Sequence, residues 1–245
     1  MIEVNDKCDL ILVAAGNSTR YGAKVPKQFE EVHGRPLYLW SLEVFLSWPH
    51  LGNVVVVVPS DWVLPVKESF NYLIDTKPIE VVAGGKTRQV SATSGLLALN
   101  KNKVNPWVMV HDGARPAITV DLLERLWCAR LVDLKMHNMA GVVPGVKSKD
   151  TIKQITIHNG FELVEDTLSR EKLRIIQTPQ LLKTDLLTEV YNTASDENAV
   201  DDASLLENHG HKILVVAGEE DNLKVTFVED IERVSSWLRQ RHPPL

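Results

Sequence analysis

The chain has 245 residues, 44% hydrophobic and 24% charged, with a formal net charge of −5, the proportions of an ordinary globular protein with a sizeable core. The acidic balance argues against a general nucleic-acid or membrane binder, so an anionic ligand must be held by locally concentrated cations. No apolar run approaches the roughly 18 residues of a membrane span, and MIEVNDKCDL lacks the pattern of a secretory leader. A cytoplasmic location is therefore expected. Cys8 and Cys128 lie far apart without metal-ligand spacing, and both are expected to be reduced, buried and structural.

Short apolar runs alternate with longer amphipathic ones. CDLILVAA, from Cys8, reads as a buried strand. It is followed by the loop AAGNSTRYGAKVPKQF, from Ala14 to Phe29, and by a helix from Pro36. NVVVVVPS, from Asn53, predicts a strand covered on both faces. DWVLPVKESFNYLI predicts a helix with Pro65 in its first turn. IEVVAGG is a third strand, QVSATSGLLALN a helix, WVMVHDGARP a fourth strand with polar groups at its carboxyl end, TVDLLERLWCARLVDL a helix and MAGVVPGV a strand.

From Lys147 the rhythm changes. KSKDTIKQITIHNGFELVEDTLS alternates polar and apolar residues around Asn159-Gly160, which predicts a two-strand ribbon. Such a ribbon is marginally stable alone, so it is expected to project and pack on a second subunit. The pattern then resumes with LRIIQTPQ, a helix in LLKTDLLTEVYNTA, the acidic DDASLLENHG, a strand in KILVVAG and a last helix near Glu229. The expected fold is α/β, a Rossmann-like three-layer sandwich with a mainly parallel sheet. It forms one domain over 1–245, with a projecting β-arm at about 147–170.

Ligands of such sheets bind at the carboxyl ends of the strands, and three of these ends are suggestive. The first loop has neither the G-x-G-x-x-G of a dinucleotide fold nor the G-x-x-x-x-G-K-[ST] of a P-loop. Its Gly16 allows close approach of backbone N–H groups to a ligand, and Arg20 and Lys27 offer charge for phosphate. AGGKTRQVS places Gly84, Gly85, Arg88 and Ser91 at the third strand's end. HDGARP places Asp112 where an ionised carboxylate can hold Mg²⁺ or a sugar hydroxyl, with Arg115 three residues on. Taken singly, the same residues suit a solvated turn, a helix cap and an Asx turn. Of the eight histidines only His111 lies near the proposed site, and it is read as a structural hydrogen-bonder. DDAS is read as a helix N-terminus rather than a metal site.

The ordered set AAGNSTRYGAKVPKQF, AGGKTRQVS, VHDGARP, KDTIKQI, QTPQ, DDASLLENHG and NLKVT resembles the cytidylyltransferases of 2-C-methyl-D-erythritol 4-phosphate. The resemblance runs from about Leu10 to Glu229. It implies a nucleotidyltransferase that joins CTP to a polyol phosphate in non-mevalonate isoprenoid biosynthesis, expelling pyrophosphate with Mg²⁺ bridging the phosphates. It implies that Ala14, Ala15 and Gly16 line the nucleotide, with Arg20 and Lys27 on its phosphates. Gly85 and Ser91 would read the cytosine, and Asp112 and Gly113 would lie by the ribose and phosphates. Arg115, Thr151, Arg170 and Thr178 would grip the polyol phosphate, and Lys224 would orient its attack. A homodimer is implied, with the arm reaching the partner's site. The chain departs from the usual family pattern with Ser18 for a second glycine, Gly113 for alanine, Val200 for threonine, and no proline after Thr226. Serine at position 18 would be strained if that backbone needs positive φ.

The chemistry agrees with the residues. The phosphate nucleophile, with a second pKa of about 6, is already anionic, so no general base is required, and catalysis rests on positioning and charge. The rival readings are a ribitol 5-phosphate cytidylyltransferase on the same fold, a dinucleotide-dependent oxidoreductase, disfavoured by the missing glycine fingerprint, and a catalytically silent nucleotide binder. The last would be expected to lack Arg20, Lys27 or Lys224.

Overall fold

The computed structural model describes residues 7–16, 25–70, 78–99, 104–134, 139–193 and 200–241. The first strand, β1 (Cys8–Val13), is buried along its whole length. A small hairpin, β2 (Glu31–Val32) and β3 (Arg35–Pro36), leads into helix α1 (Leu37–Ser47). Then come β4 (Leu51–Val58), α2 (Val63–Ser69), β5 (Ile79–Ala83), α3 (Arg88–Leu99), β6 (Trp107–Asp112), α4 (Val120–Ala129) and β7 (Met139–Lys147). Pro65 sits in the first turn of α2, where its missing N–H costs nothing.

The arm is a separate two-stranded sheet of β8 (Ile152–His158) and β9 (Phe161–Leu168). Its Asn159-Gly160 turn has φ of 51° and 80°, the positive values that the tight hairpin turn demands. The chain continues through β10 (Arg174–Ile176), β11 (Gln180–Lys183), α5 (Thr184–Thr193), α6 (Asp202–Asn208), β12 (Lys212–Ala217) and α7 (Asp230–Arg241).

In the main eight-stranded sheet β5, β4, β1 and β6 run parallel side by side, and β12 runs parallel to β7. Strand β11 lies between β6 and β7, antiparallel to both, and β10 pairs antiparallel with the far end of β7. This corrects one expectation. Leu181–Lys183 was read as the start of a helix, because LLKTDLLTEV has helical spacing. Those residues instead fill the ladder between β6 and β7, and the helix begins at Thr184.

Alternation along the strands builds two cores. On one face Leu10, Leu12, Val56, Val58 and Met109 pack with Leu42 and Phe45 of α1 and Leu122 and Leu126 of α4. On the other, Ile11, Val13, Val55, Val57 and Val110 pack with Leu96 and Leu99 of α3 and Leu187 and Val190 of α5. The valine run of β4 is thus apolar at every position because both its faces are covered. At the amino ends of the strands, buried Asp9 accepts hydrogen bonds from the backbone and side-chain amides of Asn53 and Asn105, tying β1 to its neighbours. Cys8 is buried, where desolvation pushes its thiol well above the ordinary pKa. Cys128, expected to be buried, is exposed on the outer side of α4.

Candidate active site

The loops after β1, β5 and β6 meet at the carboxyl edge of the parallel strands. Ladder bonding continues a residue past each strand: Ala14 N–H donates to the Val57 carbonyl at 2.7 Å, Gly84 N–H to Val58 at 2.8 Å, and Gly113 N–H to Val13 at 2.8 Å. Buried Gln28 reaches back to donate to the carbonyls of Ala14 (2.6 Å) and Gly16 (2.8 Å), so both ends of the first loop are pinned together. Lys27, half-buried beside Gln28 in a short 3₁₀ turn, is carried by that clamp. Arg20 and Ser18 lie outside the described residues.

Gly84 is required by contact: a Cβ there would stand 2.3 Å from the Ala15 Cβ and 2.8 Å from the Ser91 Oγ. The buried Ser91 hydroxyl accepts from Gly85 N–H at 3.1 Å and donates to the Thr87 carbonyl at 2.9 Å, so it shapes the turn around Gly85.

Asp112 is the centre of the site. Arg88 Nε lies 2.9 Å from its Oδ1, Lys224 Nζ 2.8 Å from its Oδ2, and Arg115 Nε 3.8 Å from the same oxygen. Burial would raise this carboxyl's pKa, but Arg88, Lys224 and Arg115 prevail and hold it well below the usual carboxylate range. Arg88 also places Nη1 2.8 Å from Oδ2 of Asp202, which is 1% exposed and accepts the Tyr191 hydroxyl at 2.6 Å on Oδ1. Three cations (Arg88, Arg115, Lys224) thus face two carboxylates (Asp112, Asp202), a net charge of one positive in a chain whose total is −5. Asp201, beside it, caps α6 through a capping box, as the DDAS segment led one to expect.

His111 is fully buried, and burial lowers its pKa to about 4. Its Nε2 faces the Arg115 carbonyl at 3.0 Å and therefore carries the hydrogen, while Nδ1 accepts from the Thr178 hydroxyl at 3.1 Å. It is the neutral structural hydrogen-bonder anticipated from the sequence. The same Thr178 oxygen accepts from Asp112 N–H at 3.1 Å. Thr178, expected on the polyol phosphate, thus uses its hydroxyl to order the end of β6.

The loop carrying Lys224 is docked rather than loose. Gln177 donates to the Glu219 carbonyl and accepts from Glu219 N–H, Asn222 donates to the Thr178 carbonyl, Arg115 donates to the Asn222 carbonyl, and Val225 N–H donates to Ala114. The structure therefore brings Ala14, Ala15, Gly16, Gly85, Ser91, Asp112, Gly113, Arg115, Thr178 and Lys224 to one edge of the sheet. Thr151 and Arg170 are exposed at the base of the arm, flanking the Ile152–Leu168 pair. Among the described residues neither forms a hydrogen bond or ion pair with the Asp112 group. Sequence reasoning assigned no role to Gln28, Gln177 or Asn222 and read Asp202 only as part of a helix N-terminus, although all four stand inside the quoted motifs PKQF, QTPQ, NLKVT and DDASLLENHG.

The described residues hold no group of three or more metal-ligating side chains. Both oxygens of Asp112 already face cations, Arg88 on Oδ1 and Lys224 on Oδ2. No helix among the described residues is long and apolar enough to cross a membrane.

The model of the family described as 2-C-methyl-D-erythritol 4-phosphate cytidylyltransferase matches residues 8–240. Among similar proteins, the 2-C-methyl-D-erythritol 4-phosphate cytidylyltransferase of Clostridium novyi is 37% identical, over 93% of this chain and 95% of that protein. The one from Dehalococcoides mccartyi is 35% identical, over 97% and 98%. Among solved structures, the 4-diphosphocytidyl-2C-methyl-D-erythritol synthase of Anaerococcus prevotii superposes with a TM-score of 0.79 at 27% identity, covering 96% of this chain and 97% of its own. With the family model matching nearly its whole length, the chain belongs to the 2-C-methyl-D-erythritol 4-phosphate cytidylyltransferase family.

Proposed function

We propose that the protein transfers the cytidylyl group of CTP to 2-C-methyl-D-erythritol 4-phosphate, giving 4-diphosphocytidyl-2-C-methyl-D-erythritol and pyrophosphate in non-mevalonate isoprenoid biosynthesis. An oxygen of the methylerythritol phosphate bonds to the α-phosphorus as the bond from that phosphorus to the α–β bridging oxygen breaks, and pyrophosphate carries the electron pair away. No proton need be removed from a dianionic phosphate, in keeping with a site whose one histidine is buried and neutral.

The observation that carries this reading is Lys224, set 2.8 Å from Asp112 by a loop fastened at Gln177, Asn222 and Val225. It presents a cation at the strand edge where two anions must meet. Lys224 orients the incoming phosphate, and Arg115 adds charge beside it. Arg20 and Lys27 neutralise the triphosphate as charge moves to the leaving group. Ala14, Ala15, Gly16, Gly85 and Gly113 keep the nucleotide's walls low, and Ser91 fixes the turn that meets the base. Mg²⁺ brought with the triphosphate would screen phosphate charge, and Asp112 would be the carboxylate to assist it, giving up its contact with Lys224 or Arg88 to do so.

Thr151 and Arg170 belong to the second half of the reading. Ile155, Ile157, Phe161, Leu163 and Val164 of the arm are 46–74% exposed, more apolar surface than a ribbon leaves in water. The protein is a homodimer whose arm packs on the partner, carrying Thr151 and Arg170 to the partner's polyol phosphate, and it works in the cytoplasm.

The test is CTP- and Mg²⁺-dependent pyrophosphate release with a panel of polyol phosphates. Release with methylerythritol phosphate is expected. Release only with ribitol 5-phosphate would move the assignment to that substrate, and CTP binding without release on either would indicate a silent binder.

A further inference from the structure

Arg88 is the unexplained residue of the site. It stands on the first turn of α3, 24 positions before Asp112, and its guanidinium joins two carboxylates from different parts of the fold. On the solvent side Nε holds Asp112. On the inner side Nη1 meets Asp202 of α6, itself held by Tyr191 of α5. Behind it, Gln180 donates to Asp201 and accepts from Ala203 N–H, fixing the start of α6 to β11. A guanidinium gripped on two edges has one orientation, and a carboxylate tied to it inherits that orientation.

We propose that Asp202 and Tyr191 are positioning residues for the transfer reaction: by fixing Arg88 they fix Asp112, and Asp112 in turn sets Lys224. Neither residue lies at the strand edge: Asp202 is 1% and Tyr191 9% exposed. Their effect therefore travels through the chain Tyr191–Asp202–Arg88–Asp112–Lys224, each link of which is a contact of 2.9 Å or less. Without the Asp202 charge, Arg88 has a single carboxylate to face and turns more of its fork onto Asp112. The local balance rises from one positive to two, and Lys224 loses its share of the Asp112 carboxylate. The inference rests on the reading of Lys224 as the residue that orients the attacking phosphate.

The experiment compares Asp202→Asn, Lys224→Ala and their double variant by steady-state kinetics, with CTP affinity measured by calorimetry and folding by thermal unfolding. Asparagine keeps the side-chain shape and an oxygen for Tyr191. In Asp202→Asn we expect kcat with methylerythritol phosphate to fall about tenfold, within the range for coupled neighbours, while the CTP dissociation constant stays within about twofold. In the Lys224→Ala background the same substitution should cost nothing further, because the residue it acts on is gone. A buried residue with only a structural role would lower thermal stability without that non-additivity. Fully additive losses, or an equal loss of CTP binding, would overturn the proposal. Should Asp202→Asn not fold, Tyr191→Phe takes its place in the cycle and is judged by the same additivity. Unchanged turnover in Lys224→Ala alone would remove the role of Lys224, and this inference with it.

Discussion

Two glycines of the site differ enough in their surroundings to predict opposite outcomes for the same added methyl. At Gly84 the new carbon would lie 2.3 Å from the Ala15 Cβ, 2.8 Å from the Ser91 Oγ and 3.1 Å from a Val57 methyl. Carbon atoms pack at about 3.5–4.0 Å, so the first of these contacts is short by more than 1 Å. The Ala15 Cβ is fixed to the backbone of the first loop and cannot rotate aside. Ser91 can rotate only by giving up its bonds to Gly85 and Thr87. Relief must come from the loop itself, at about 2 kcal/mol for an overpacked site, or ~4–8 °C in Tm for a chain of this size. The same movement displaces Ala15 and Gly16, and misplacement on the 1 Å scale costs roughly 10–100-fold in kcat/KM. At Gly113 the nearest atoms are Ala14 Cβ at 3.1 Å, Tyr38 Cβ at 3.2 Å and Val13 O at 3.3 Å, which need give by only a few tenths of an ångström. The entropy gained from Gly→Ala, about 0.4–1 kcal/mol, offsets that cost. Gly113→Ala should thus leave stability within about 1 kcal/mol. Differential scanning fluorimetry and a calorimetric CTP titration on both variants provide the measurement. Unchanged Tm and CTP affinity in Gly84→Ala, or greater damage from Gly113→Ala, would refute the reasoning.

Three other outcomes follow from the same geometry. Gln28→Ala removes the donor to Ala14 and Gly16 and should weaken CTP binding about tenfold (two hydrogen bonds near 0.5–1.5 kcal/mol each) with little change in the KM for the polyol phosphate; equal loss of both would count against the clamp. His111, buried and neutral, has its pKa lowered to about 4 from an ordinary 6.5, so its contribution is fully present above pH 6.5 and is lost as pH falls toward 4. Urea unfolding should show about 2 kcal/mol less stability at pH 5 than at pH 7, a slope that His111→Gln flattens; an identical slope in the variant would exclude His111 as its source. If the arm works in trans, mixing equal amounts of the strongly impaired variants Arg170→Ala and Lys224→Ala, each with low but measurable turnover, and allowing subunits to exchange should restore about a quarter of wild-type activity, since half the dimers then hold one intact site; no recovery despite exchange would place the arm on its own subunit's site.

The parts of the fold that repeat a simple period were legible. The alternating cores of β1 and β4, the ribbon around Asn159-Gly160 and the capped start of α6 lie where the pattern put them. Leu181–Lys183 misled because three apolar-rich residues before a helix share its period. Only the vacancy between β6 and β7, a tertiary fact, makes them a strand. Cys128 was misjudged for a similar reason, since a cysteine in an amphipathic helix suits either flank. In the site, Asp112 could be found because a charge at the end of an apolar strand is conspicuous. Its partners could not be ranked. Arg88 and Lys224 lie 24 residues before and 112 after it, and nothing local distinguishes a lysine that meets a buried carboxylate from one that meets water. The two aspartates of DDAS show the same limit. One caps the helix and the other turns inward to Arg88, a difference set by the direction in which α6 leaves its first turn.

The loop after β12 has no regular secondary structure, yet it is fastened at several points of its backbone: Glu219 N–H on Gln177, Asn222 N–H on the Glu219 carbonyl, Val225 N–H on Ala114, and the Asn222 carbonyl under Arg115. Such a segment belongs kinetically to the sheet it rests on. The amides of Glu219, Asn222 and Val225 should exchange with solvent deuterium as slowly as those of β7, and as one group, because opening any of them means releasing Gln177 and Asn222 together. Lys224 is thereby a side chain on an immobile mount, its tip already steadied by Asp112 at 2.8 Å. The order it must acquire on meeting a phosphate is confined to its own four-carbon stem, at most about 2 kcal/mol of rotamer freedom, with no backbone segment left to freeze.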